Sequence, residues 1–311
     1  MKFRTEIKLR PIGFQLHHAD KIMMMGSCFV EYISEKITQA GFQTDVNPFG
    51  IVYNPVSLAG GLYDLINSTV YTEDALFEYQ SVYHSFRHHS RFSGLNQALV
   101  LEQINTRITQ SFRFLKEATH IILTFGTANV YRLSSSGEVV ANCHKLPADR
   151  FREERLSVEQ IVRQWNELIS CLRTLNPDLK LLFTVSPIRH CKDGAHENQL
   201  NKAILLLAVD ALIKANEKCY YFPSYELMMD DLRDYRFYAE DMIHPNQQAL
   251  NYIWEKFGEA CFDAQTQKII KEWESIQQAL NHRPLNPDSE EYKRFLTATN
   301  EKKDRLLSYK H

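Results

Sequence analysis

The feature that most constrains this chain is a recurring unit: a short, largely apolar run, a turn, then a helix-like stretch. The runs occupy residues 21–25, 42–46, 120–125, 180–185 and 219–222. The turns behind them open with Gly26-Ser27, Asn47-Pro48, Gly126-Thr127, Ser186-Pro187 and Pro223-Ser224. Apolarity that runs on rather than alternating marks strands covered on both faces, as in a parallel sheet. Helical patterns lie between them. Residues 29–40 carry a stripe of Phe29, Ile33, Ile37 and Ala40 and close on Gly41, a good helix stop. Residues 157–175 open with Ser157 and Gln160 at capping-box spacing, ahead of Val158, Ile161, Trp165, Leu168, Ile169 and Leu172. Residues 198–215 are strongly helical, and 245–260 place Pro245 at a first helical position. With right-handed crossovers, this pattern predicts a three-layer α/β/α sandwich around a doubly wound parallel sheet of about five strands. Ligands of such sheets bind beyond the carboxyl ends of the strands, so the turns above should converge on one site.

Two regions fall outside the pattern. Residues 79–100 and 130–156 are rich in His, Arg and Asn, with a hairpin-like Ser135-Ser136-Gly137. They read as loops and small strands laid over the functional edge. Residues 263–311 form a charged tail of two helices split by Arg283-Pro284-Leu285-Asn286-Pro287, the second starting near Pro287-Asp288-Ser289. The expected organisation is a catalytic-type domain over 1–262 and a helical extension over 263–311. Packing on the domain, pairing with another subunit and fraying are the alternatives for that extension.

With 311 residues the chain can bury a large core without staples. Its net charge of −2 argues against a general nucleic-acid binder, which needs a basic surface. Six cysteines without a C-x-x-C pair read as reduced thiols, and residues 1–16 carry charges throughout instead of the apolar core of a secretory leader. No stretch approaches the roughly 20 apolar residues of a membrane span. A cytoplasmic protein without a membrane partner is the expectation.

Ser27 sits where the first strand gives way to the first helix. Gly26 supplies backbone freedom, and free N–H groups at the helix start favour developing negative charge. Ser27 can attack a carbonyl there while its own N–H holds the oxyanion; helix capping is the bland alternative. Cys28 is a rival nucleophile, expected to point into the core. Late in the chain, Asp241-Met242-Ile243-His244-Pro245 lets a carboxylate hold one imidazole nitrogen and leave the other as a base. The bland alternative is a capping Asp beside a surface His.

Together the two motifs resemble the SGNH/GDSL hydrolase superfamily, and more closely its GSCFA-domain family, whose signature reads here Gly26-Ser27-Cys28-Phe29-Val30. Further family-like segments are Phe3-Arg4-Thr5, Asn47 to Pro55 (NPFGIVYNP), His84-Ser85-Phe86 and His88-His89-Ser90-Arg91-Phe92-Ser93. Phe125-Gly126-Thr127-Ala128, Ala141-Asn142-Cys143-His144-Lys145 and Val185-Ser186-Pro187 complete the set. The resemblance spans roughly residues 3–260. It implies a flavodoxin-like, SGNH-type sheet and a serine ester hydrolase with Ser27, Asp241 and His244 as its triad. It also implies an oxyanion hole of the Ser27 N–H, the Gly50 N–H and an asparagine. The superfamily's Gly-x-Asn-Asp is absent, leaving Asn129, Asn142 or the Thr127 hydroxyl for the third donor. The implied substrate is a small O-acyl ester such as an acetylated carbohydrate, with no cofactor. An O-acyltransferase acting on a glycan hydroxyl and a non-catalytic binding module are the alternatives.

His84 and His88 lie four apart, but no H-E-x-x-H pattern supports a metal site. With Thr127, His144 and Lys145 they are expected to bind substrate. A Cys143–His144 dyad cannot be read from adjacency. Arg87, Arg91 and Arg132 are candidates for clamping an acid group, and Met23-Met24-Met25 is core strand.

Overall fold

In the computed structural model, which describes residues 4–9, 11–281, 284, 286 and 288–308, the five apolar runs form one parallel sheet. Its strands are Lys21–Gly26 (β1), Gln43–Val46 (β2), His120–Phe125, Lys180–Val185 and Cys219–Phe222. Between the second and third of these lie Phe77–Tyr79 (β3) and Val82–His84 (β4), an antiparallel hairpin, so His120–Phe125 is β5. Asn129–Leu133 (β6), Val139–Val140 (β7) and Phe151–Arg155 (β8) form a second small antiparallel sheet, leaving Lys180–Val185 as β9 and Cys219–Phe222 as β10. The sheet order is β10-β9-β5-β1-β2, with every pair parallel. Of the sequence's opening motif Phe3, and of the break in the tail Arg283, Leu285 and Pro287, lie outside the described residues.

Alternation along β1 shows why the strand is apolar throughout. Met23 and Met25 enter one core, Ile22 and Met24 the other. The first core is closed by Pro55–Ile66 (α2), Gln97–Glu117 (α3), Val158–Leu175 (α4) and Ala195–Ala215 (α5). The second is closed by Cys28–Gln39 (α1) and Gln247–Cys261 (α7). The one-turn helix Ser224–Glu226 (α6) follows β10. The capping box of Ser157 and Gln160 forms as the spacing predicts.

Three helices departed from expectation. The α7 helix starts at Gln247 with Asn246 as its cap, because Pro245 is held beside Tyr238 in an isolated bridge. The α2 and α3 helices were not foreseen. In the tail, Ala264–Asn281 (α8) and Glu290–Ser308 (α9) share a small core of Ile269, Trp273, Ile276 and Leu306. Trp273 also lies against Gly41, where an added Cβ would sit 2.7 Å from the indole. Among the described residues no helix is long and apolar enough to cross a membrane.

Candidate active site

The turn after β1 is built around glycine. Gly26 has φ +148°, and an added Cβ would lie 2.4 Å from the Thr124 carbonyl oxygen. Its N–H donates to Asn47 Oδ1 at 2.9 Å, and its carbonyl accepts from Val52 N–H at 3.0 Å. The two loops that follow β1 and β2 are thereby stitched together.

This fixes which side chain of the turn meets solvent. Ser27 is the N-cap residue of α1, yet its side chain makes no capping hydrogen bond. It is 1% exposed, and its hydroxyl is buried without a partner. The hydroxyl therefore makes no hydrogen bond to His244, and the contact expected of a Ser27 nucleophile is not formed. Cys28, the first residue of α1, faces the opposite way from that expected of it: it lines an open cavity of about 590 Å³. Its Sγ stands 3.9 Å from His244 Nε2.

Behind that imidazole the Asp-x-x-His turn closes as predicted. Asp241 Oδ2 lies 2.6 Å from His244 Nδ1, while Oδ1 accepts the N–H groups of Ile243 and His244, each at 2.9 Å. The Ala239 N–H donates to the His244 carbonyl at 2.7 Å, which clamps the loop. The backbone N–H groups of His244 and Ile243 and the imidazole together pull the Asp241 carboxyl down to about 2. It stays ionised and accepts from Nδ1, leaving Nε2 as the free lone pair toward sulfur.

The thiol has opposing influences. Burial pushes its pKa up and dominates. The N–H groups of Cys28 and Phe29, orphan donors of the first helical turn, push it down, and the Lys202 ammonium adds to them. Lys202 is wholly buried beneath the site. Its Nζ donates to the carbonyls of Gly126 and Ser186, both at 2.8 Å, tying together the ends of β5 and β9. Burial brings its ammonium down to about 7. Sequence reading gave no sign of it, since a lysine on an amphipathic helix ordinarily faces water.

The other expected site residues divide. Thr127, Asn129 and Asn142 line the cavity. The Asn129 amide is engaged with Glu153 Oε1 at 2.9 Å, so Asn142, whose Oδ1 accepts the His144 N–H, is the better placed of the two asparagines. Gly50 is corrected as an oxyanion donor. Its N–H closes a turn on the Asn47 carbonyl at 2.8 Å, and its φ of +80° serves packing, since a Cβ would fall 2.2 Å from His89 Cβ.

His84, His88, His144 and Lys145 are corrected as cavity-lining residues, for none of them lines it. The His84 ring meets Ser93 Oγ at 2.7 Å, His88 Nδ1 meets Ser85 Oγ at 2.9 Å, and His144 Nε2 donates to the Ser85 carbonyl at 2.8 Å. Lys145 is exposed. They brace the loops over the sheet, and burial lowers His88 to about 3. The cavity is lined instead by His89 and His190, with Tyr53, Asn54, Arg189 and Lys192. Arg87, Arg91 and Arg132 pair with Asp64, Glu31 and Glu154. Among the described residues no cluster of three or more His, Cys, Asp or Glu side chains is arranged to hold a metal ion. A larger groove, about 970 Å³, runs between α1, α7 and α8 but holds no serine, cysteine or histidine among the described residues.

The GSCFA family matches residues 21–257, a span that holds Cys28, Asp241 and His244. This chain belongs to the GSCFA family. The description "GSCFA domain protein, C-terminal domain" matches residues 273–309, which takes in all of α9 and the second half of α8. No curated relative matches the chain. Among solved structures, a family 3 carbohydrate esterase of Clostridium thermocellum is 13% identical, covering 81% of this chain and 97% of its own, with a TM-score of 0.37. A carbohydrate esterase family 3 protein from Talaromyces cellulolyticus is 10% identical over 81% of this chain and 99% of its own, with a TM-score of 0.36. An acetyl xylan esterase from Butyrivibrio proteoclasticus is 10% identical over 78% and 64%, with a TM-score of 0.39.

Proposed function

We propose that this GSCFA protein is an acyl-transferring hydrolase that works through a Cys28–His244–Asp241 triad. The observation that carries the reading is the chain of contacts in one open cavity: carboxylate to imidazole at 2.6 Å, imidazole to sulfur at 3.9 Å. Apo sites often hold such pairs slightly long and tighten them around substrate.

The chemistry follows from the electrostatics. Because burial raises the Cys28 pKa, the resting group is the thiol, and its proton passes to His244 Nε2 as sulfur attacks an ester carbonyl. Asp241 stabilises the imidazolium that forms. The tetrahedral oxyanion is met by the free N–H groups at the start of α1 and by a side-chain amide of the cavity wall, Asn142 or Asn54. Collapse breaks the ester C–O bond, and the leaving alcohol takes the proton from His244. Water, or an acceptor hydroxyl, then gives its proton to His244 and attacks the thioester, releasing acid or a new ester and restoring the thiol. Small O-acyl esters are the substrate class, and acetylated carbohydrates, the kind the sequence resemblance implies, are the first to try.

Paired substitutions test the assignment. Cys28→Ala should lower ester turnover by about a thousandfold or more, whereas Ser27→Ala should retain most of it. The reverse pattern would restore Ser27 as nucleophile and overturn the thiol reading. Full activity in both would place the chemistry outside this turn, and an absence of ester turnover in the parent protein would leave a binding module. If an added glycan speeds ester consumption, transfer is favoured over hydrolysis.

A further inference from the structure

Arg189 is a cavity residue that neither the triad nor the sequence reading absorbs. It follows β9, lines the same cavity as Cys28 and His244, and has no carboxylate partner among the described residues. Its Nε is buried and makes no hydrogen bond. One Nη donates to the Met242 carbonyl at 3.3 Å, and the guanidinium lies 5.0 Å from the centre of the Tyr238 ring. The side chain is thus held from two sides while one donor of its fork is unspent.

The surroundings agree. Among the described residues no aspartate or glutamate lines the cavity, whereas Lys192, His89 and His190 do. Glu31, the acidic group that bears on Cys28, is paired with Arg91 at 3.4 Å. An arginine cannot shed its charge, and a buried, unsatisfied N–H is costly to keep unless a ligand completes it. Guanidinium forks match groups that offer two oxygens side by side.

We infer that the cavity takes an acyl substrate bearing an oxyanion group, carboxylate or phosphate, and that Arg189 binds this group and sets specificity. The inference rests on the proposed site but is tested without its chemistry. Calorimetry on the Cys28→Ala protein would measure binding of succinate, of inorganic phosphate and of neutral succinamide. Expected is binding of at least one anion, none of succinamide, and affinity about tenfold or more weaker in Arg189→Gln. Arg189→Lys, which keeps the charge and loses the fork, should fall between the two. Which anion binds distinguishes a carboxyl from a phosphoryl group. A melting temperature close to the parent's shows that each variant is folded; if Gln disturbs folding, the Lys variant carries the comparison. Neither anion binding, or equal affinity with and without Arg189, overturns the inference. In the parent protein, iodoacetamide labelling of Cys28 that anions slow ties the two sites together. Anion binding beside an unreactive Cys28 would instead defeat the nucleophile reading alone.

Discussion

Replacing Asp241 by Asn probes the proposed triad most sharply, because the structure dictates how the amide must sit. Two backbone N–H groups, those of Ile243 and His244, point at Oδ1. They require an acceptor, so the Asn carbonyl oxygen takes that place and its NH₂ takes the place of Oδ2, facing His244 Nδ1. Nδ1 must then accept. The imidazole proton moves to Nε2, the nitrogen 3.9 Å from Cys28 Sγ, and no lone pair remains there to take the thiol proton. A wrong tautomer with intact geometry costs about 10⁴ in the serine-protease triad. Asp241 and His244 are each close to half exposed, so part of this is recovered by solvent and a loss of about 10³ is expected. The assay is ester turnover against pH, alongside iodoacetamide labelling of Cys28. The deficit should shrink as pH rises, because a thiol that ionises by itself no longer needs the base. The loop keeps its N–H acceptors, so the melting temperature should move little. A turnover loss below about threefold, or a deficit constant with pH, would refute the argument.

Two further outcomes rest on packing and burial. Gly26→Ala places a Cβ 2.4 Å from the Thr124 carbonyl at a left-handed φ, and should cost about 3 kcal/mol or more in urea unfolding; a loss under 1 kcal/mol would mean that the β1 turn is looser than it stands here. Acid should destabilise the fold through neutral buried imidazoles. His88 and His120 are lowered to about 3 and about 4, so between those values and the unfolded value near 6.5 the unfolded chain binds protons that the native one does not. Their contribution is fully present above pH 6.5 and is lost as pH falls, at up to about 2.7 kcal/mol per pH unit for the two. In denaturant titrations between pH 4.5 and 6.5, His88→Gln should flatten the slope by about one proton; an unchanged slope would show that His88 is not the group involved.

Much of the scaffold was legible because it depends on patterns that repeat. Both faces of the sheet are covered, so its strands read as largely apolar runs, the edge strand Gln43–Val46 excepted, and Ser157 with Gln160 announces a cap that forms as written. Asp241 and His244 are three residues apart, and local geometry suffices to pair them. The α2 helix escaped notice because its Pro, two Gly and apolar residues on several sides blur a helical period. The α3 stripe of Val100, Ile104, Ile108 and Leu115 has helical spacing, but it begins inside the polar stretch 79–100, which reads as loops and small strands. The histidines of the overlying loops misled for another reason. The sequence pattern leads to an expectation of His84, His88 and His144 near the edge, but only the fold shows that Ser85 or Ser93 engages one ring nitrogen of each.

The nucleophile turn is the instructive case, since two adjacent side chains compete and the fold separates them by one helical step. Ser27 drew attention as a hydroxyl at a helix cap, but a cap residue belongs to the loop, and this loop is bonded inward through Gly26 and Asn47. Cys28 already belongs to the helix. With about 100° per residue, the centre of the stripe formed by Phe29, Ile33, Ile37 and Ala40 lies roughly 135° around the axis from Cys28. The stripe that buries α1 therefore leaves the thiol at the margin of the second core, off the centre of the buried face, where it meets His244. The period of that stripe identifies the helix; its phase indicates which residue of Ser27-Cys28 the cavity receives.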